Sequence, residues 1–336
     1  MLKHLFTTSS LLLLTATTFA ETPKKKHDLK RGINADPKEV EDPDFKIQGE
    51  YTGTLNGKKH GVQVIAGGAG KFTAVFYPGG LPGDGWDGER KNRVKGKGET
   101  EEDATTIRAQ NWLATIADGR MTVKAIKDGA ETEAGTLEKV ERKSTTLGKK
   151  PPAGAVVLYD GTMECLAKWQ RGKMSEDGYL MQGVKSKDRF GASTIHIEFR
   201  LPYKPFARGQ GRGNSGFYMH ARYEVQMLDS FGLEGKHNEC GGIYSTKDPD
   251  VNMCFPPLSW QTYDIEFTPA EFDDNNKKTK NARMTVRHNG VVVHNDVECD
   301  HSTTASPMRE GKEPGPLYFQ NHGNPVRYRN IWVLPK

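Results

Sequence analysis

The chain reads as all-β: a two-sheet sandwich or jelly roll preceded by a smaller β-rich domain. Three observations predict this. From Ala155 to Pro335, short alternating runs recur between polar and Gly- or Pro-bearing turns, as in antiparallel strands that bury one face. Between Phe45 and Val140, short apolar runs are separated by Gly-rich punctuation, and no clearly helix-like window occurs. Third, the stretch GRGNSGFYMHARYEVQMLDS, Gly211 to Ser230, alternates almost without fault: Phe217, Met219, Ala221, Tyr223, Val225 and Met227 on one parity, Tyr218, His220, Arg222, Glu224 and Gln226 on the other.

The elements follow in order. Lys3 and His4 precede a modest apolar stretch around Leu11 to Leu14, and Thr18-Phe19-Ala20 offers small residues at a cleavage spacing, so residues 1–20 read as an export signal. That signal places the mature chain in the periplasm or outside the cell, with no integral membrane segment after cleavage. Residues 21–44 are rich in Lys, Asp, Glu and Pro and poor in large apolar residues, which predicts a disordered leader. Residues 45–143 form the small β-rich domain, of meander or barrel kind, with apolar runs at Val62 to Ile65, Phe72 to Tyr77, Trp112 to Ile116 and Met121 to Ala125. Its Gly67-Gly68-Ala69-Gly70-Lys71 lacks the first glycine and the hydroxyl residue of a phosphate loop, so it reads as a hairpin turn. Trp86, in a long Pro- and Gly-rich loop, reads as a cap on this domain.

Residues 144–154 (STTLGKKPPAG) make a semi-stiff linker. Beyond it, strands are expected at 156–159, 178–182, 194–200, 216–228, 242–244, 261–268, 283–288, 291–294, 316–321 and 326–333. His288-Asn289-Gly290 supplies the hairpin signal between two of them, and Gly323-Asn324-Pro325 turns the chain between the last two. Ile195, Ile197 and Phe199 look inward, leaving His196, Glu198 and Arg200 as a salt-bridged outer face; Tyr263, Ile265 and Phe267 stand likewise against Asp264 and Glu266. His288 and His294 flank a hairpin and read as exposed.

The polar parity of Gly211 to Ser230 carries a base, an acid, a cation and an amide, a set suited to gripping a polar ligand. A run of about ten residues is also long enough for two short strands with a tight turn near Ala221 and Arg222. Tyr218 and His220 then need not share a face with Glu224 and Gln226. The corner before it supplies Asn214 and Ser215; near the end of the chain Tyr318, Gln320 and His322 share a parity, and Arg327 and Arg329 follow the turn. Glu224 and Gln226, two residues apart on one face, lie about 6.6 Å from each other.

Basic residues number 48 against 43 acidic, and the one tight basic run, Lys24 to Lys26, sits in the leader, which argues against nucleic-acid binding. The four cysteines form no CxxC pair, so a structural zinc site is not indicated. In an exported chain they suggest disulfides, Cys240 with Cys254 and, by elimination, Cys165 with Cys299. His322, Glu224 and His220 are the residues around which a divalent metal could gather, although no ligand spacing specifies one and no cofactor is certain.

NSGFYMHARYEVQMLDS, CGGIY, WQTYDIEF, ARMTVRHNGVVVH and GPLYFQNHGNPVRYRNIWV, with LYDGT and Trp169 earlier, resemble the 3-keto-disaccharide hydrolase domain family, in register and in order from about Val156 to Pro335. The resemblance implies a concanavalin-like sandwich and, as substrate, a glycoside or disaccharide oxidised to a ketone at C3. The ketone acidifies the C2 hydrogen, so a base can remove it, expel the C1 substituent and leave an unsaturated sugar that water rehydrates. Such chemistry needs a base near neutral pKa, an acid for the leaving oxygen and donors for the enolate. Glu224 and His322 are the candidate base and acid, in either order. Asn214, Arg222, Gln226, Gln320 and Arg327 are candidate donors, with Ser215, Tyr218 and His220 as further substrate contacts. The front domain lies outside the resemblance.

Two alternatives stand beside it. A laminarinase-like glycosidase lines carboxylates along one strand in an ExDxE pattern, but here Gln226 and Leu228 follow Glu224, and Asp229 has the other parity. A lectin-like module without catalysis would use the same Asn, Gln, Arg and aromatic residues on a sheet face.

Overall fold

The computed structural model describes residues 32–102 and 104–336. The expected export signal and the first part of the leader therefore lie outside the described residues. Eight antiparallel strands, from Gly49–Leu55 to Ala130–Val140, each pair with the next, and the last pairs with the first to close a barrel. Closure leaves no free sheet edge. Alternate side chains, among them Tyr51, Val62, Phe76, Ile107 and Leu137, fill the interior. The glycine-rich segment is the expected hairpin turn, with Ala69 and Gly70 at positive φ between Lys58–Gly68 and Lys71–Pro78. Trp86 stacks edge-on against Tyr77, with ring centroids 5.2 Å apart.

The second half is a sandwich of two antiparallel sheets. The five-stranded sheet runs Trp169–Gln170, Val184–Phe190, Gly315–Phe319, Ser215–Met219, Tyr223–Met227. The seven-stranded sheet runs Leu180–Met181, Arg327–Pro335, Ser193–Arg200, Trp260–Thr268, Ala282–His288, Val291–Cys299, with Val156–Tyr159 also paired to Arg327–Pro335. Between them lies one apolar cluster. Phe217, Phe319 and Val225 from one sheet and Ile195, Ile197, Phe199, Tyr263 and Ile265 from the other are all fully buried. Each such side chain contributes roughly 1.5–3 kcal/mol by leaving water, which is why the alternation dictates the inner faces.

Several expectations are corrected here. The leader is ordered over residues 32–44. Asn34 exchanges two backbone hydrogen bonds with Tyr203 (3.1 and 2.9 Å), Asp36 caps a 3-10 turn at Pro37–Glu39, and Asp42 accepts from the Tyr203 hydroxyl at 2.9 Å. Phe45, 5.1 Å edge-on from Tyr203, supplies the apolar anchor that composition alone did not reveal. His288 and His294 are buried rather than exposed, and burial lowers them to about 3 and about 4, so both are neutral. The Asn289-Gly290 turn between their strands forms as expected, with φ +52° and +86°.

Neither expected disulfide is present: all four cysteines are buried free thiols. Cys240 and Cys254 are hydrogen-bonded neighbours, but each sulfur is also met by its own surroundings, the Tyr263 hydroxyl at 3.2 Å for Cys240 and the Leu228 carbonyl at 3.6 Å for Cys254. Cys165 points at the carbonyl of Val157, whereas Cys299 ends a strand at the opposite edge of the same sheet, out of disulfide reach.

Candidate active site

Strand register assembles the site. Gly211 to Ser230 is a hairpin of two strands: His220 and Ala221 both take positive φ (55° and 53°), and Arg222 N–H closes the turn on the Met219 carbonyl at 2.9 Å. This is the type I′ geometry that matches strand twist. Tyr218 then sits directly opposite Glu224, and Gly216 opposite Gln226. Tyr218 also pairs with Tyr318, Tyr318 with Lys185, and Lys185 with Gln170. One rung therefore crosses all five strands: Gln170, Lys185, Tyr318, Tyr218, Glu224. Side-chain contacts place most of it on one face, with the Tyr218 and Tyr318 rings 5.5 Å apart and Lys185 Nζ 6.0 Å from the Tyr318 centroid. Exposure falls along the row, from exposed Gln170 through half-buried Lys185 and Tyr318 to Tyr218 and Glu224, at 0% and 2%.

Glu224 stands at the buried end of the row. The Tyr218 hydroxyl donates to its Oε2 at 2.7 Å, and Oε1 accepts no hydrogen bond among the described residues. Oε1 lies over Gly216, where an added Cβ would stand 1.9 Å from it, so that position must be glycine if the carboxyl is to keep its place. No cation pairs with Glu224 among the described residues. Burial therefore dominates and pushes its carboxyl up to about 7, with the Tyr218 hydrogen bond pulling weakly the other way. Burial first, and then the Glu224 charge, raises the Tyr218 phenol above its usual range, so it stays a donor. Gln320 Nε2 donates to the same phenol oxygen at 3.3 Å.

Loops close the deep end. The Thr303 hydroxyl accepts from Glu224 N–H at 2.9 Å, and the backbone of 241–244 pairs along the outer edge of Tyr223–Met227. Gln226 donates to Gln210 at 3.0 Å, and Asn214 donates to the same Gln210 oxygen at 2.9 Å, leaving Asn214 Oδ1 buried without a partner.

The remaining predicted residues are placed elsewhere. His220, on the turn, packs edge-on against Phe267 at 4.9 Å; burial and then the Arg222 charge lower it to about 4, so it is a neutral core histidine. Arg222 donates to the backbone carbonyls of Arg309, Gly311 and Glu313 and so clamps a loop. Ser215 has inner-face parity, and its hydroxyl bonds the Tyr328 hydroxyl across the sandwich at 2.7 Å. Arg327 belongs to the other sheet, in register with Arg200. His322 is exposed on the turn after Gln320; only its carbonyl is bonded, by Asn324 at 3.0 Å, and no contact joins it to Glu224. His220, Glu224 and His322 thus do not converge, and no group of three or more potential metal ligands occurs among the described residues. Lys185, Gln210 and Thr303 escaped sequence reasoning: the last two lie in loops without periodicity, and only strand order brings Lys185 into the row.

A cavity of about 740 Å³ between barrel and sandwich is a poorer candidate. Its buried carboxylate, Glu50, is gripped by Arg142 through two hydrogen bonds of 2.7 and 2.6 Å.

Residues 154–334 match the family described as the 3-keto-alpha-glucoside-1,2-lyase-like domain. No curated protein matches the chain. Among solved structures, a Parabacteroides distasonis ATCC 8503 protein provisionally described as a glycosyl hydrolase is 30% identical, covering 55% of this chain and 85% of that one, with a TM-score of 0.49. Two more from the same organism, with the same description, are 18% and 15% identical. They cover 55% and 54% of this chain and 88% and 99% of theirs, with TM-scores of 0.35 and 0.38. The family match marks the chain as a carbohydrate-active enzyme of a glycosyl-acting group, and the fold is an all-β sandwich. It belongs to the 3-keto-alpha-glucoside-1,2-lyase-like domain family.

Proposed function

We propose that the enzyme cleaves 3-keto-glycosides by elimination and rehydration at Glu224. The observation that carries this reading is a buried carboxyl with no counter-cation, one oxygen held by a phenol and the other free, poised at about 7. A group with that pKa is half ionised at neutral pH, the optimum for moving a proton both ways. As carboxylate, Glu224 takes the C2 hydrogen of the keto-sugar; the electron pair forms the C1–C2 double bond through the enolate, and the C1–O bond breaks. The proton on Glu224 then passes to the departing oxygen. Water adds its hydroxyl to C1 and a proton to C2, so the sum is hydrolysis of the glycosidic bond. Tyr218 and Gln320 supply donors beside this carboxyl.

A two-carboxylate glycosidase is disfavoured because the next acid along the chain, Asp229, is bound by Arg212 at 2.6 Å and accepts from Phe231 N–H at 3.4 Å. The export signal read at residues 1–20 would set the reaction outside the cytoplasm; N-terminal sequencing of the mature protein should begin near Glu21.

The test is turnover of 3-keto-trehalose in D₂O. Elimination and rehydration must leave deuterium at C2 of the released keto-glucose, and Glu224→Gln should lower kcat by about 10³-fold. Binding without release of sugar would mark a lectin, and cleavage of unoxidised glucans alone would mark an ordinary glycosidase. Either result overturns the proposal.

A further inference from the structure

The row beyond Tyr218 is wider than proton transfer at Glu224 requires. Lys185 stands three strands from Glu224, about 14 Å at the usual strand spacing, a reach suited to a disaccharide or an aryl glycoside laid across the sheet. Thr303 and the 241–244 backbone occupy the strand edge beyond Glu224, and exposure rises along the row toward Gln170, which directs a group leaving C1 toward that end. There it meets the half-buried Tyr318 ring and then a strand bearing Lys185, Lys187 and Arg189. None of these three cations forms an ion pair among the described residues, although ion pairs are frequent elsewhere on this surface. The stem of Lys185 holds its ammonium over the Tyr318 ring.

We infer that Tyr318 and Lys185 form the leaving-group subsite, Tyr318 as a platform for its ring and Lys185 as the partner of an anionic substituent, a carboxylate or phosphate. This rests on the reading of Glu224 as the centre of the reaction. The preferred substrates are then 3-keto-glycosides whose aglycone is acidic at its far end.

The probes are 3-keto-glucosides with 4-carboxyphenyl and 4-carbamoylphenyl aglycones, equal in size and different in charge, and the corresponding unoxidised glucosides as inert ligands. Wild type should favour the carboxylate by about fivefold in kcat/KM and in affinity at low salt, the worth of one partly exposed charge pair, and the preference should shrink in 0.5 M salt. In Lys185→Met the fivefold preference should be lost, the affinity ratio falling to about one, and Lys185→Arg should restore it. Comparing wild type with variant cancels the different intrinsic reactivity of the two leaving groups. No charge preference in wild type, or a preference that survives Lys185→Met, overturns the subsite. Charge-selective binding without turnover would uphold the subsite and instead sink the keto-sugar chemistry.

Discussion

Both sheets of the sandwich bury carboxylates on their outer faces, and the two sets ionise in opposite directions. On the seven-stranded sheet, Glu198 meets Arg329 at 2.6 Å, Gly148 N–H at 2.6 Å and His196 at 3.7 Å; Asp264 meets Lys149 at 2.8 Å and His196 at 3.0 Å. Burial opposes their charge, yet these partners outweigh it and bring both carboxyls down to about 2. His196 is raised in return by the same two carboxylates, against its burial. On the five-stranded sheet, Glu224 is no more buried than Glu198 but has only a phenol beside it, and it rises to about 7. Burial alone does not set a carboxyl's pKa; the hydrogen-bond donors and cations around it decide the direction. On one face the carboxyls are held in a clamp; on the other, Glu224 is held near half ionisation at neutral pH.

The clamp should fail hardest. Asp264→Ala leaves His196 and Lys149 without their shared counter-charge, and should cost about 3 kcal/mol in urea denaturation while the folded fraction keeps its turnover. A loss below about 1 kcal/mol would erase the contrast between the faces.

The next effect separates the faces by pH. The folded pKa of Glu224, about 7, lies above its ordinary value of 4.5, so its contribution is fully present below 4.5 and lost as pH rises through 7. Glutamine cannot ionise. Glu224→Gln should therefore match wild type at pH 4.5 and exceed it at pH 8 by up to about 3 kcal/mol. Glu198 and Asp264 have the opposite sign: their stabilisation is present above their ordinary values of 4.5 and 3.8 and is lost as pH falls toward 2. Denaturation of both proteins at pH 5 and 8 checks this, and a less stable Glu224→Gln at pH 8 would contradict it.

Smaller still is Tyr218→Phe, which removes the one hydrogen bond favouring ionised Glu224. The acidic limb of the kcat/KM profile should move up by about one unit, with about a fivefold loss at pH 7. An unmoved limb would show that Tyr218 does not touch the reacting group. The smallest effect is expected for His322→Ala, on an exposed turn: kcat within about threefold of wild type. A larger loss would return His322 to the site.

Alternation made the inner faces legible, because a residue such as Phe217 or Ile197 has no other favourable place than the core. Local chemistry was equally clear where a turn needs positive φ, at Asn289-Gly290. The site was legible only in part. Glu224, Tyr218, Gln226 and Gln320 were within reach because each shows its face by parity. His220 and Arg222 were misplaced because the run is two strands, the alternative with a turn near Ala221 and Arg222, and both residues lie on that turn rather than on the face that Tyr218 and Glu224 share. Arg327 was misplaced because parity says which residues share a face of one strand, never which sheet the strand joins; Ser215 has the apolar parity of Phe217 and points inward.

The sequence by itself determined the class of fold, the two apolar faces, the family and the isolation of Glu224 from a second carboxylate along its strand. Tertiary structure alone decided which strands are neighbours, and therefore the row from Gln170 to Glu224. It also decided that Gly148 and Lys149 reach Glu198 and Asp264, while no cation pairs with Glu224 among the described residues. The physical reason is range. Periodicity and turn chemistry act over a few residues, whereas a pKa depends on every charge brought near, and here those charges come from positions more than a hundred residues apart.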